Sequence, residues 1–114
     1  GMAAAALTEL GGGDPETVSH AAALAIKNLL GLVCDPVAGL VEVPCVKRNG
    51  FAAVHAMLAA DMALAGVRSV IPADEVIEAM ERIGRALPRT LKETAEGGLA
   101  MTTTAQKITQ KLYG

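Results

Sequence analysis

The sequence predicts an all-α fold, a compact bundle of about four main helices with short helical pieces at the ends and no sheet. Three observations predict it. Hydrophobic residues make up 52% of the 114 residues, yet aromatics only 2%. The core must therefore come from Ala, Leu, Val, Ile and Met, which suit close-packed helices better than twisted sheets. Apolar residues also recur at three- and four-residue spacing, and most of the twelve glycines cluster between those stretches as punctuation.

Residues 2–10, MAAAALTEL, have strong helix propensity, and Gly11, Gly12 and Gly13 stop that helix. Asp14 then reads as an N-cap, with Pro15 at the first helical position and Glu16 in the first turn. This second helix is expected from about Pro15 to Leu30, with Val18, Ala22, Ala25, Ile26, Leu29 and Leu30 as its apolar stripe and Gly31 as terminator. Residues 32–45, LVCDPVAGLVEVPC, hold Pro36, Gly39 and Pro44, which exclude a continuous helix. An apolar loop of this length is uncommon and is usually functional or buried, so it is expected to be ordered. A third helix is expected from about Val46 to Ala65, with Phe51, Val54, Leu58, Met62 and Ala65 inward. The segment 67–71, VRSVI, is β-branched but too short to build a sheet. Pro72 opens a fourth helix, with Asp74 and Glu75 in its first turn and Val76, Ile77, Met80, Ile83 and Leu87 on its buried face. Pro88 breaks it, a short helical piece follows from Arg89 to Thr94, and Thr102 to Gly114 forms a last exposed helix. No internal repeat is evident.

Several function classes lose support. The formal net charge is −2, and no long basic run or aromatic platform favours nucleic acid. The longest apolar stretches are interrupted by Lys27, Asp35, Glu42 or Asp61, so no transmembrane span is expected. The Ala-rich start lacks the basic region of a signal peptide. A soluble cytoplasmic protein is the expectation. Gly1-Met2 reads as a glycine left by tag removal before the first encoded residue, with natural sequence upstream.

Cys34 and Cys45 bracket the apolar loop with ten residues between them. Two inert buried thiols, a disulfide and metal ligation all fit a pair of cysteines. The spacing is not that of a zinc or ferredoxin site. Cys45 precedes a helix, facing its unpaired N–H groups, with Lys47 and Arg48 close by. Cys34 follows a helix C-terminus, where an anion needs a metal or cation beside it. Among other candidates, His20 and His55 fall inside helices, where a lone His is more often a surface or satisfied residue. Asp35 reads as an Asx-turn before Pro36, or as an acceptor for backbone N–H groups in the loop. Lys47, Arg48 and Asn49 are a solvated helix start or neighbours of a bound group. Gly97 and Gly98 are a turn or a place where backbone approaches a cofactor.

The string from Asn28 to Asn49, NLLGLVCDPVAGLVEVPCVKRN, resembles the signature of the iron–sulfur-dependent L-serine dehydratases. The later string Glu93 to Ala100, ETAEGGLA, is similar to a second segment of that family. The resemblance covers essentially the whole chain and implies the C-terminal part of the catalytic α domain. It implies conversion of L-serine to pyruvate and ammonia, an amino-acid degradation that feeds gluconeogenesis. The cofactor implied is a [4Fe–4S] cluster held by three cysteines, two of them Cys34 and Cys45 and the third upstream of Gly1. The cluster is expected in the full-length enzyme and absent from the 114 residues alone, which are expected to be inactive. Implied partners are L-serine, the remaining α domain and a β domain or β chain, with a homo-oligomer open. Two departures stand out. The family often follows GGLA with a Thr-Pro-Thr-Gly run, whereas Thr102-Thr103-Thr104-Ala105 stands here. Some members end in a cysteine, whereas this chain ends in Tyr113-Gly114. Two alternatives stay open, a related iron–sulfur cysteine-degrading lyase and a helical interaction domain with structural cysteines.

Overall fold

The computed structural model describes residues 1–114. Its elements are α1 (Met2–Leu10), α2 (Pro15–Lys27), α3 (Cys45–Leu64), α4 (Ala73–Ala86) and α5 (Thr103–Tyr113), with short 3-10 turns at Val37–Gly39, Arg89–Leu91 and Gly98–Met101. There is no strand, only one isolated parallel bridge between Cys34 and Lys92. The all-α expectation holds. No helix is long and apolar enough to cross a membrane. The chain divides into two compact units, residues 1–31 with 51–85, and residues 32–50 with 86–114.

In the first unit the local signals set the helix ends. Asp14 caps α2, its carboxylate accepting the Thr17 N–H at 2.8 Å, with Pro15 opening the helix. That N–H bond, and the charge of Arg68 further off, hold the Asp14 carboxyl below the usual carboxylate range. A depressed folded pKa adds stability that is present above the ordinary aspartate value of about 4 and fades as pH falls through the folded value. Asp14→Ala is therefore expected to lower the midpoint of thermal unfolding at pH 7. The gap to the unmodified protein should narrow as the solution is acidified below about pH 4. A gap that stays constant on acidification would show that the charge of the cap contributes nothing.

α2 ends at Lys27, three residues before the expected Leu30. Asn28 caps it, and Leu29 N–H turns back to the Ile26 carbonyl at 3.0 Å. Gly31, at φ +81°, then redirects the chain.

The faces of the helices depart further from expectation. The core is Ala4 of α1, Ala21, Leu24 and Ala25 of α2, and Ala56, Ala59 and Ala63 of α3, with Met62 packed against it. Of the face of α3 chosen from bulk, only Met62 packs inward; Phe51 is 79%, Val54 64% and Leu58 55% exposed, and Ala65 is exposed too. The reason is that α3 is apolar nearly all round. Ala56, Ala60 and Ala63 repeat at helical spacing as well as Phe51, Val54 and Leu58 do, so periodicity offers two faces and cannot choose. The alanine face wins because small side chains let helix axes come close. On α2, Ala25 is buried as expected, Val18, Ala22, Ile26 and Leu30 are half-buried, and Leu29 is exposed. On α4 only Val76 is fully buried, Ile83 and Leu87 are half-buried, and Ile77 and Met80 are exposed. The VRSVI segment is irregular. Buried Ser69 donates its hydroxyl to the Ile71 carbonyl at 2.6 Å, and exposed Val70 sits at φ +68°.

The second unit gathers α5 with the turns Val37–Gly39 and Gly98–Met101. Val37, Ala100 and Ala105 are its buried apolar residues. Thr102 caps α5 with its hydroxyl, and Tyr113 Oη donates to the Ala38 carbonyl at 3.3 Å. Ile108 and Leu112 of this tail helix are exposed, as expected.

Candidate functional site

The loop from residue 32 to residue 44 is ordered and turns inward at Asp35, Pro36 and Val37. Backbone bonds fix it at both ends. Cys34 N–H donates to the Leu91 carbonyl at 3.0 Å, and Glu93 N–H donates to the Cys34 carbonyl at 2.9 Å. Val37 N–H reaches the Val43 carbonyl, and Val46 N–H the Val41 carbonyl, each at 2.9 Å. The Val43–Pro44 peptide is cis, and Cys45 is the first residue of α3.

At the centre is Asp35, only 2% exposed. One carboxylate oxygen accepts from Arg48 Nη1 at 2.7 Å, and the other accepts the Leu99 N–H at 2.7 Å. The same Arg48 nitrogen donates to the Val33 carbonyl at 3.0 Å. Burial pushes the Asp35 carboxyl up, but the Leu99 N–H and Arg48 outweigh it and hold the group below its usual range. One carboxylate thus ties together three stretches: the loop before Cys45, the first turns of α3, and the glycine-rich segment near residue 98. Such charge-assisted bonds in a sheltered place are the strong ones.

The glycine pair makes this closeness possible. Gly98 adopts φ +58°, and a methyl group there would stand 2.7 Å from Asp35 Cβ and 2.9 Å from Cγ. A methyl on Gly97 would stand 2.6 Å from the Thr90 carbonyl oxygen. The two glycines therefore serve contacts within the chain. Three non-glycine residues of this unit, Ala38, Glu93 and Ala95, also hold positive φ, a strained conformation that clusters at functional sites.

Both cysteines are free and half-buried. The Cys34 thiol is pushed above its ordinary value by burial first, then by the charges of Glu93, Cys45 and Asp35, with Arg48 opposing. Two soft sulfur donors suit iron, and by themselves they are fewer than the three cysteines that the resemblance implies. No group of three or more His, Cys, Asp or Glu side chains is placed so that it could hold a metal ion.

Of the other candidates, Arg48 joins the site, whereas Lys47 and Asn49 are exposed and take no part in these bonds. His20 and His55 lie in the first unit. His20 Nδ1 accepts the Ser69 N–H at 3.1 Å, and His55 Nε2 meets the Ala25 carbonyl at 2.9 Å. Asp35 is the residue that sequence reasoning underrated. Its signal is an acid beside a candidate ligand, able to accept backbone N–H groups, and an Asx-turn explains that as well.

A helical chain that clamps a two-cysteine loop through a buried aspartate and its arginine partner defines a class of all-α domain. The comparisons narrow it, because residues 1–100 match the model of the serine dehydratase alpha chain, and the chain belongs to that family. It is 60% identical over 114 residues to a probable L-serine dehydratase alpha chain of Bacillus subtilis, covering all of this chain and 38% of that protein. It is 59% identical to the counterpart from Latilactobacillus sakei, covering 99% of this chain and 54% of that protein. It is 53% identical to the L-serine dehydratase alpha chain of Peptoniphilus asaccharolyticus, covering 94% and 37%. The chain thus spans between about a third and about half of the length of these relatives.

Proposed function

We propose that these 114 residues are the C-terminal part of the catalytic α domain of an L-serine dehydratase, which converts L-serine to pyruvate and ammonia in the cytoplasm. The observation that carries the reading is the unbroken CDPVAGLVEVPC loop, with both thiols free, in a chain 60% identical to a protein of that name. Free thiols also fit a reducing compartment.

Cys34 and Cys45 would be two of three cysteine ligands to a [4Fe–4S] cluster, with the third in another part of the α domain. When bound, the cluster supplies a Lewis-acidic iron with an open position for the serine hydroxyl. The chain's own residues position that group. Arg48 and the Leu99 N–H hold Asp35, which fixes the backbone on which Cys34 stands, and the hydrogen bonds to Leu91 and Glu93 restrain Cys34 from the other side. This is the role that outer partners of metal ligands commonly play. The reaction removes water from L-serine, and the enamine released tautomerises and hydrolyses to pyruvate and ammonia. A β domain or β chain and the rest of the α domain would complete the serine site.

Assay of the whole enzyme, prepared without oxygen, tests this. L-Serine should yield pyruvate, L-cysteine far less, and exposure to air should end turnover. The 114 residues alone should yield none, even after treatment with iron and sulfide, because two thiolates do not anchor a cluster that needs three. A whole enzyme that carries its cluster and leaves L-serine intact would refute the reading, and a preference for L-cysteine would move it to the cysteine-degrading lyases.

A further inference from the structure

None of the residues that build the Cys34–Cys45 site lines a hollow of about 340 Å³ in the first unit, between the last turn of α2 and the middle of α3. Small-molecule sites run from roughly 300 to 1,000 Å³. Leu24, Leu58, Ala59 and Met62 form its apolar wall, and Lys27, Asn28 and His55 its polar side. We infer that this hollow binds a small aliphatic monocarboxylate, the tail against the leucines and methionine and the carboxylate on Lys27 and Asn28.

The polar side is already organised. His55 Nε2 lies 2.9 Å from the Ala25 carbonyl, which can only accept, so this nitrogen carries the hydrogen. Nδ1 is then an acceptor and faces the Asn28 amide nitrogen at 3.4 Å. Both groups belong to the lining, and the contact uses one Asn28 amide hydrogen and leaves the second for a ligand. The Lys27 ammonium donates one hydrogen to the Ser69 carbonyl, which anchors it and leaves two more. No acidic residue lines the hollow. One fixed cation and one amide donor suit a single negative charge; a phosphate monoester, with about two charges, would call for further cations of the arginine type. The tail is required because the rest of the lining offers no polar group.

Titration of the protein with valerate, followed by amide NMR, tests the inference. Saturable shifts should appear at Asn28, His55 and Leu58. Acetate, which has the charge without the tail, and 1-pentanol, which has a tail without the charge, should each bind at least tenfold more weakly. Lys27→Gln should weaken valerate about tenfold or more, since hydrogen bonds to charged groups contribute that much, and Lys27→Arg should restore most of the affinity. Lys27 also holds Ser69, so Leu58→Asp provides a second variant that leaves this bond intact. It places a like charge on an exposed position of the wall and should weaken valerate as well. Absence of saturable shifts, equal binding of either control compound, or unchanged affinity in Lys27→Gln or Leu58→Asp would each overturn the inference.

Discussion

Cys34→Ala and Cys45→Ala, each made in the whole enzyme, are expected to abolish pyruvate formation from L-serine. Neither residue is a large part of the core; both are half-buried thiols, Cys34 in a loop held by backbone bonds and Cys45 at the first position of α3. Losing a sulfur from such a place removes little packing, so the fold should survive. On the proposed function, what disappears is a cluster ligand, and with it the Lewis acid. Serine at these positions would keep the shape but offers a hard oxygen donor, and should restore little. His20→Ala and His55→Ala serve as controls. Both histidines lie in the first unit, in bonds to backbone groups, and their loss should leave turnover measurable.

Gly98→Ala is expected to have the largest effect on stability. Two costs combine. An alanine at φ +58° is strained by about 1–2 kcal/mol, and its methyl would stand 2.7 Å from Asp35 Cβ. Relief requires Asp35 or the 97–99 backbone to move, which breaks the Leu99 N–H bond. A total of roughly 3 kcal/mol is expected from strain plus a lost charged hydrogen bond. Asp35→Ala attacks the same junction from the other side, leaving Arg48 and the Leu99 N–H without their acceptor. Breaking a wholly buried ion pair costs about 3–5 kcal/mol. Arg48 is 30% exposed and can turn to water, so about 2–3 kcal/mol is expected here. If Cys34 is a ligand as proposed, Asp35→Ala in the whole enzyme should also lower turnover or cluster retention about 10- to 100-fold, the effect usual for outer partners of metal ligands. Gly84→Ala in α4 is the contrast: nothing stands within 4 Å of the added methyl, and helix propensity favours alanine by about 1 kcal/mol. Thermal unfolding of the three variants separates these outcomes. If Gly98→Ala melts with the unmodified protein, no clamp exists.

What the sequence disclosed, it disclosed through local chemistry. Asp14-Pro15, the three glycines at 11–13 and Pro72 mark helix ends because caps and breakers act within a few residues. The inner face of α3 was not readable, since alanines and bulky residues repeat at the same helical spacing and only the approach of neighbouring helices selects between them. The loop could be seen to need order, and Cys34 and Cys45 stood out within a long family string. The clamp could not be seen. It joins residue 35 to residues 48 and 99, and no spacing rule links three such positions. Arg48 was a candidate neighbour of the bound group, and its nearest partners prove to be Asp35 and the Val33 carbonyl. Gly97 and Gly98 were singled out for allowing close approach, and the atoms they approach belong to Thr90 and Asp35.

The measurement that bears most directly on Cys34 and Cys45 as ligands is the iron and sulfide content, with the visible absorbance, of the whole enzyme purified without oxygen. Each cysteine variant is to be compared with the unmodified protein. The unmodified enzyme should be brown and hold a cluster that bleaches in air. Cys34→Ala and Cys45→Ala should each be folded, colourless and inactive. A variant that keeps the full iron content, the absorbance and normal turnover would show that its cysteine is a half-buried thiol and not a ligand.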